Sequence, residues 1–362
     1  MRRPAAILAA AVLVATLALP AGARAEDAPA DGTALLADAE AAFARHDPGA
    51  MDLLRRAAES GAPAAQNALG YRLEHGLDGA AADPAEAAAW FRRAADQGFA
   101  AAQHNLASLL EAGHGDPAEV LRLRRAAAEQ GLTAARYALG AGLLHQGGHD
   151  PEAVHWLTLA AEDGFAAAQN SLGVMYYLGR GVAKDPVQAM SWYRRAADQG
   201  YAEAENNIGQ LHAEGDGVAP DDAAALVWFR RAAAQNLPAA QYHVGRCYED
   251  GRGVAADAAE AARWYRLAAD TGFAPAQDQL GWLYAHGTGV PQDDAAAADW
   301  FRRAADQGYA PAQSNLGELA YYGRGMPQDT GAAVKWFRAA AAGGLEHARQ
   351  WLVVLGRASN GS

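Results

Sequence analysis

From residue 61 onward the chain alternates two kinds of apolar segment. One is made of small and aliphatic residues, as in Ala204-Glu205-Asn206-Asn207-Ile208-Gly209, and the other is centred on large aromatics, as in Ala223 to Ala234 around Trp228-Phe229. In both, the apolar positions recur at helical spacing. Between them stands Gly215-Asp216-Gly217-Val218, and similar glycine pairs recur at 179–182, 251–254 and 287–290. Glycine supplies the left-handed backbone that ends a helix, so each period predicts a helix, a turn and a second helix.

A glycine closes each period, at 61, 98, 131, 164, 200, 272, 308 and 344, with Asn236 in the remaining place. These boundaries delimit eight full repeats with a partial one at each end. Second helices are expected to start at an aspartate, and at Asp83-Pro84, Asp116-Pro117, Asp150-Pro151 and Asp185-Pro186 proline takes the first helical position, where it costs no hydrogen bond. First helices keep an alanine (Ala65, Ala102, Ala135, Ala168, Ala204, Ala240, Ala276, Ala312) and mostly a glycine a turn later, which predicts close helix approach. Second helices carry Trp90, Trp156, Trp192, Trp228, Trp264, Trp300 and Trp336, expected as wedges between repeats because large aromatics at a fixed helical position dominate burial.

The run from Ala166 to Gly200, with Ala168-Gln169, Leu172-Gly173, Tyr176, Gly181-Val182, Asp185, Trp192-Tyr193-Arg194-Arg195-Ala196-Ala197 and Asp198-Gln199-Gly200, resembles a consensus unit of the Sel-one-like repeat family, a relative of the tetratricopeptide repeats. The resemblance extends from Gly61 to Gly344. It implies an all-α fold, a right-handed α-solenoid superhelix of antiparallel helix pairs with first helices on the concave side. Two repeats, 98–131 and 131–164, are short and lack the Gly-x-Gly-Val turn; the first places Arg122 and Val120 at the tryptophan position and Ala107 at the glycine position. Residues 26–60 read as a short linker and a degenerate repeat, and 345–362 as a capping helix and tail whose Trp351-Leu352-Val353-Val354-Leu355 must fold back or dock.

Residues 1–25 read as a signal peptide: Met1-Arg2-Arg3, an apolar stretch from Ala5 to Leu19, and Ala23-Arg24-Ala25 ahead of Glu26. That predicts a periplasmic or secreted protein with no stable membrane anchor after processing. Losing three arginines takes the formal charge from −12 to −15. A surface this acidic repels phosphate backbones and argues against nucleic acid as a partner. The single cysteine, Cys247, forms no intrachain disulfide and is expected to be a buried small hydrophobe.

A search for chemistry finds no phosphate loop, nucleophile elbow or zinc-protease helix. His145, His149 and His155 surround Asp150, but Gly147-Gly148 interrupts any helix that could align them, so no metal or other cofactor is assigned and the histidines read as turn residues. The arginine pairs at 92/93, 194/195 and 302/303 are each followed by an aspartate, which predicts ion pairs within the helix. No catalytic residue is assigned. Cysteine-rich relatives described as β-lactamase-like carry a cysteine pair per repeat, which this chain lacks. The expected function is a protein-binding scaffold, adaptor or regulator in the envelope; an envelope hydrolase acting on peptidoglycan or β-lactams, or a secreted effector, are the alternatives.

Within first helices, the positions three before, one after and four after the glycine vary from repeat to repeat. Spacings of three and four share a helix face, so these positions predict a stripe along the concave wall. It carries Asn170, Val174 and Tyr177; Asn206, Gln210 and Ala213; Tyr242, Arg246 and Glu249; Asp278, Trp282 and Ala285; Ser314, Glu318 and Tyr321. Aromatics and arginine are enriched at binding hot spots, so Tyr177, Tyr242, Arg246, Trp282 and Tyr321 are the candidate partner-binding residues.

Overall fold

The computed structural model describes residues 32–359; the expected signal peptide lies outside them. The described residues form nineteen α-helices and no strand. They belong to two compact units divided between Ala102 and Gln103. The first holds α1 (Gly32–Ala44), α2 (Ala50–Glu59), α3 (Pro63–His75) and α4 (Pro84–Asp96), and the division falls inside α5 (Ala100–Ala112). The second continues with α6 (Pro117–Glu129), α7 (Thr133–Gln146), α8 (Asp150–Glu162), α9 (Ala166–Leu178), α10 (Pro186–Ala197), α11 (Ala202–Glu214) and α12 (Asp222–Ala234). It ends with α13 (Pro238–Asp250), α14 (Ala258–Asp270), α15 (Ala274–His286), α16 (Asp294–Ala305), α17 (Ala310–Tyr322), α18 (Thr330–Ala342) and α19 (Glu346–Ser359).

Helix ends follow the capping signals. Asp83, Asp185, Asp257 and Asp293 each accept from two orphan amides of the helix they precede, and Asp116, Asp221 and Asp329 accept from one. Asp150 departs from the expectation: His149 takes the cap position without a side-chain bond, and Asp150 is the first residue of α8. At the repeat boundaries the backbone turns left-handed, including Asn236 at φ 62°, where asparagine is the best-tolerated substitute for glycine.

In the second compact unit the core lies between repeats. Ahead of the C-terminal cap, the hydrophobic clusters join a second helix, the first helix of the following repeat and that repeat's tryptophan: Trp192 packs on α8 and α9, Trp228 on α10 and α11, and Trp300 on α14 and α15. The tryptophans are therefore wedges between repeats, as expected. A second wedge acts inside each hairpin. The residue after each tryptophan, Phe91, Leu157, Tyr193, Phe229, Tyr265, Phe301 and Phe337, is buried against the first-helix glycine. A Cβ on Gly173 would lie 2.6 Å from Cε1 of Tyr193, a separation no side chain tolerates, so glycine is required there by the ring.

The expected ion pairs inside the second helices are not what the arginines do. Neither Arg194 with Asp198 nor Arg302 with Asp306 forms one among the described residues; instead Arg93, Arg195, Arg231 and Arg303 lie over Trp90, Trp192, Trp228 and Trp300 with guanidinium carbon 4.3–4.4 Å from the ring centre. The face of each indole attracts the cation laid over it, whether the ring is buried, as at Trp90 and Trp300, or partly exposed, as at Trp192 and Trp228.

Successive repeats are also joined by a polar clamp in the glycine turn. Arg180, Arg252 and Arg324, between the two turn glycines, bind Asp150, Asp222 and Asp294, each the first residue of the second helix of the previous repeat. Arg252 and Arg324 also donate to the Ala213 and Ala285 carbonyls at 2.8 Å. The intervening joints carry Asp216 and Thr288 at the arginine position, so the clamp occupies every second joint. At the C-terminus, α19 folds back: Trp351 stacks on Phe337 at 5.1 Å and Leu355 is buried, while Val353 and Val354 stay exposed.

Candidate functional site

The variable stripe is only partly surface. Positions three before the glycine point into the joints: Asn206, Asp278 and Ser314 are buried, and Tyr242 is half-buried. Ala285, four after the glycine, is buried as well. First helices of neighbouring repeats bond one another directly across this face. Asn207 donates to Asn170 at 2.9 Å, Asn315 to Asp278 at 2.8 Å and Gln279 to Glu249 at 3.2 Å. A face that the sequence pattern presents as one wall is, at every third position, a seam. Residues on the outward side of that seam remain open, among them Arg246 and Trp282, whose indole is 38% exposed.

Three of the five candidate residues come together. Tyr242 and Arg246 of α13 and Trp282 of α15 line one cleft of about 390 Å³, with Glu249, Asp250 and Gln279 completing it. The other two lie elsewhere. Tyr177 donates to Glu214 at 2.7 Å, with the Lys184 ammonium 5.4 Å from its ring centre, and that hydrogen bond, with burial, pushes its phenol up to about 12. Tyr321 packs on Trp351 of α19, ring centres 5.3 Å apart, and is part of the C-terminal cap.

Each wall of the cleft is held in place. Trp282 stacks on His286 one turn later, ring centres 4.2 Å apart, and His286 Nδ1 donates to the Trp282 carbonyl at 2.8 Å. Tyr242 rests on Tyr265 and Phe273, and burial raises its phenol above the usual range, against the pull of Arg246. Burial works against the charge of Arg246, but hydrogen bonds to Asp250 and Tyr242 outweigh it and keep the guanidinium firmly protonated. Glu249 is fixed by the Tyr265 hydroxyl and by Gln279. The result is a preorganised concavity in which an exposed indole, a phenol, a guanidinium and two carboxylates converge, a composition suited to gripping a protein side chain.

Asp250 and Gln279 were missed by sequence reasoning. Asp250 was legible as the partner of Arg246 four residues earlier on one helix face; Gln279 lies outside the variable positions, and nothing in the sequence marked it. Cys247 is buried in the cluster between α12 and α13, and burial pushes its thiol up. Of the three grouped histidines, His149 holds the cap position of α8 without a side-chain bond, His155 sits within α8 edge-on to Trp156, and His145 lies in the last turn of α7, so His145 and His155 are helix residues rather than turn residues. Among the described residues no group of three or more His, Cys, Asp or Glu is placed to hold a metal ion, and no helix is long and apolar enough to cross a membrane.

Two solved structures share this architecture along most of the chain. A protective antigen present in uropathogenic Escherichia coli strains, described as displaying an SLR fold, is 32% identical with a TM-score of 0.66, over 85% of this chain and 67% of that one. A Sel1 repeat protein from Oxalobacter formigenes is 31% identical with a TM-score of 0.63, over 93% of this chain and 98% of its own. No curated protein matches. The Sel1 repeat pattern matches residues 63–99, 100–122, 133–165, 166–201, 202–237, 238–273, 274–309 and 310–345, short repeats included. With α-helical pairs stacked through interlocking tryptophans and glycines, and a repeat match along most of its length, the chain belongs to the Sel1 repeat family.

Proposed function

We propose that the protein is an exported scaffold that recruits another protein in the periplasm or outside the cell, and that it grips that partner through the Tyr242–Arg246–Trp282 cleft. Sel1 repeat solenoids typically serve as protein-interaction scaffolds, and that coarser reading follows from the family. The observation that carries the finer one is Trp282: an indole 38% exposed yet pinned by His286, beside a tyrosine and a neutralised arginine in one cleft. An aromatic needed only for stability would be expected among the buried clusters; an aromatic fixed and left open lowers the entropy cost of binding. Export rests on the reading of residues 1–25, and the envelope partner on that export.

The test places a photo-crosslinking amino acid at position 282 and, as a control, at exposed Val227 of α12. Envelope extracts are expected to give a discrete adduct from position 282 only. Alanine at Tyr242, Arg246 and Trp282 together should cut capture of that adduct's protein at least about tenfold, since truncating hot-spot residues costs about 2 kcal/mol or more each. Adducts of equal pattern from both positions, or undiminished capture by the triple variant with its melting temperature intact, would place the partner elsewhere.

A further inference from the structure

The two short repeats contain a second cleft, of about 740 Å³, that neither the repeat pattern nor the proposed scaffold role assigns. Two departures from the pattern surround it. Counting back from Gly131, Leu123 rather than Arg122 takes the tryptophan position, and the wedge position held elsewhere by phenylalanine, tyrosine or leucine is held by Arg124. On α7, Gly142 stands where later repeats bury Met175, Leu211, Cys247, Leu283 and Leu319. A Cβ on Gly142 would lie 3.2 Å from Arg124 Nη1, so the guanidinium faces the space that a missing side chain leaves. Val120, Leu121, Tyr137 and Leu139 give the cleft apolar walls.

Arg124 is not fully provided for. Its side chain is nine-tenths buried, and its Nε is buried without a hydrogen-bond partner. Its terminal nitrogens donate to Glu111, whose side chain is 59% exposed. His104, buried nearby, is held below its usual pKa by burial and by the charge of Arg124, so it offers that charge no relief. A buried cation among apolar walls, whose only acid stands out in solvent, is matched by a carboxylate that brings apolar surface with it.

We propose that this cleft binds the C-terminal residue of a polypeptide when that residue is apolar: its side chain fills the space at Gly142, and its α-carboxylate takes the Arg124 guanidinium over from Glu111. The experiment uses the full chain, labelled with nitrogen-15, and follows the Arg124 Nε–H resonance. The probes are a tetrapeptide, Ac-Ala-Gly-Ala-Leu with a free carboxylate, the same peptide as its C-terminal amide, and N-acetyl-leucine. The free acid should shift the resonance saturably and the amide should not. Glu111→Gln removes the internal competitor and should tighten the acid several-fold, a gain that misfolding cannot imitate. Gly142→Met, which restores the aliphatic residue of the later repeats, should abolish binding with the melting temperature unchanged or raised. The triple alanine variant of the first cleft should bind the tetrapeptide as the wild type does. Equal binding of acid and amide, no gain in Glu111→Gln, or full binding by Gly142→Met would overturn the proposal. N-acetyl-leucine binding as tightly as the tetrapeptide would assign the cleft to a free acid and overturn the polypeptide source.

Discussion

Asp278 is a carboxyl group placed where its charge is penalised. It is buried in the seam between α15 and α17, 7% exposed, with one donor, Asn315, and burial raises its pKa to about 6. Because the folded value lies above the unfolded one, the cost is absent below about pH 4, grows between pH 4 and 6, and is complete above that. Asp278→Asn should therefore stabilise the protein at pH 7.5 by about 2–3 kcal/mol, since a pKa unit is worth about 1.4 kcal/mol, and lose that advantage in melts below pH 4. The equivalent seam between α9 and α11 already uses an asparagine as acceptor, in the Asn207–Asn170 pair, so the substitution keeps its bond. Gly173 poses the opposite case. Alanine there would gain about 1 kcal/mol of helix propensity but overpack Tyr193, and overpacking costs about 1–3 kcal/mol. Gly173→Ala should lower the melting temperature, and rise or no change would mean the ring has room. The chain contains its own control: the one full repeat with alanine in this position, Ala107, has Arg124 and no ring at the wedge. The glycines were legible as close approaches; what they approach was not, because the eye goes to tryptophan, and the phenylalanine or tyrosine beside it does the penetrating.

At the scale of the element, the first helices are tied to their surroundings by a glutamine that no periodicity argument singles out. Gln169 and Gln277 donate to the last-turn carbonyls of Ala161 and Ala269, which lack an i+4 donor within the helix and also accept from the Gly164 and Gly272 amides. Their own carbonyls accept from Gln199 and Gln307, at the end of the second helix of the same repeat, at 2.9 and 2.8 Å. In the repeat that begins at Asn236, Thr271 stands in the donor's place, and Gln241 Oε1 is buried without a partner. Thr271→Gln should supply that donor and stabilise the chain by about 1 kcal/mol, the ordinary net worth of such a bond, measured by denaturant titration. Helix type, order and ends were readable because caps and period act within one element. Asp150 was misplaced because its partner, Arg180, lies in the next repeat, and a cap and a cross-repeat clamp look alike in one dimension. The binding stripe was half readable for the same reason: spacing tells which residues share a face, but whether Asn206 or Ser314 meets water or a neighbouring helix depends on how tightly the stack closes.

Across the whole molecule, stability is a sum over joints, and the joints are unequal. The stretch from Gln103 to Gln146 has the wider cleft, an arginine in place of a core ring and no Gly-x-Gly-Val turn, and the division between the two compact units falls at its edge. Amides of α6 and α7 should exchange with solvent before those of α13 to α16, where Tyr265 and Phe301 fill their glycine positions; equal protection along the chain would contradict this ordering. The clamps make the later joints unequal in another way. Arg180, Arg252 and Arg324 recur at twice the repeat length, as do Asp150, Asp222 and Asp294. For a gene, this sets which losses by recombination leave the product whole. Removing residues 200–235 preserves the helical phase but leaves Arg252 over Pro186, a cation with its partner deleted, whereas removing residues 200–271 rejoins the stack with each surviving arginine still opposite its own aspartate. The heritable module of this chain is a pair of repeats, even though the folding motif is a single one.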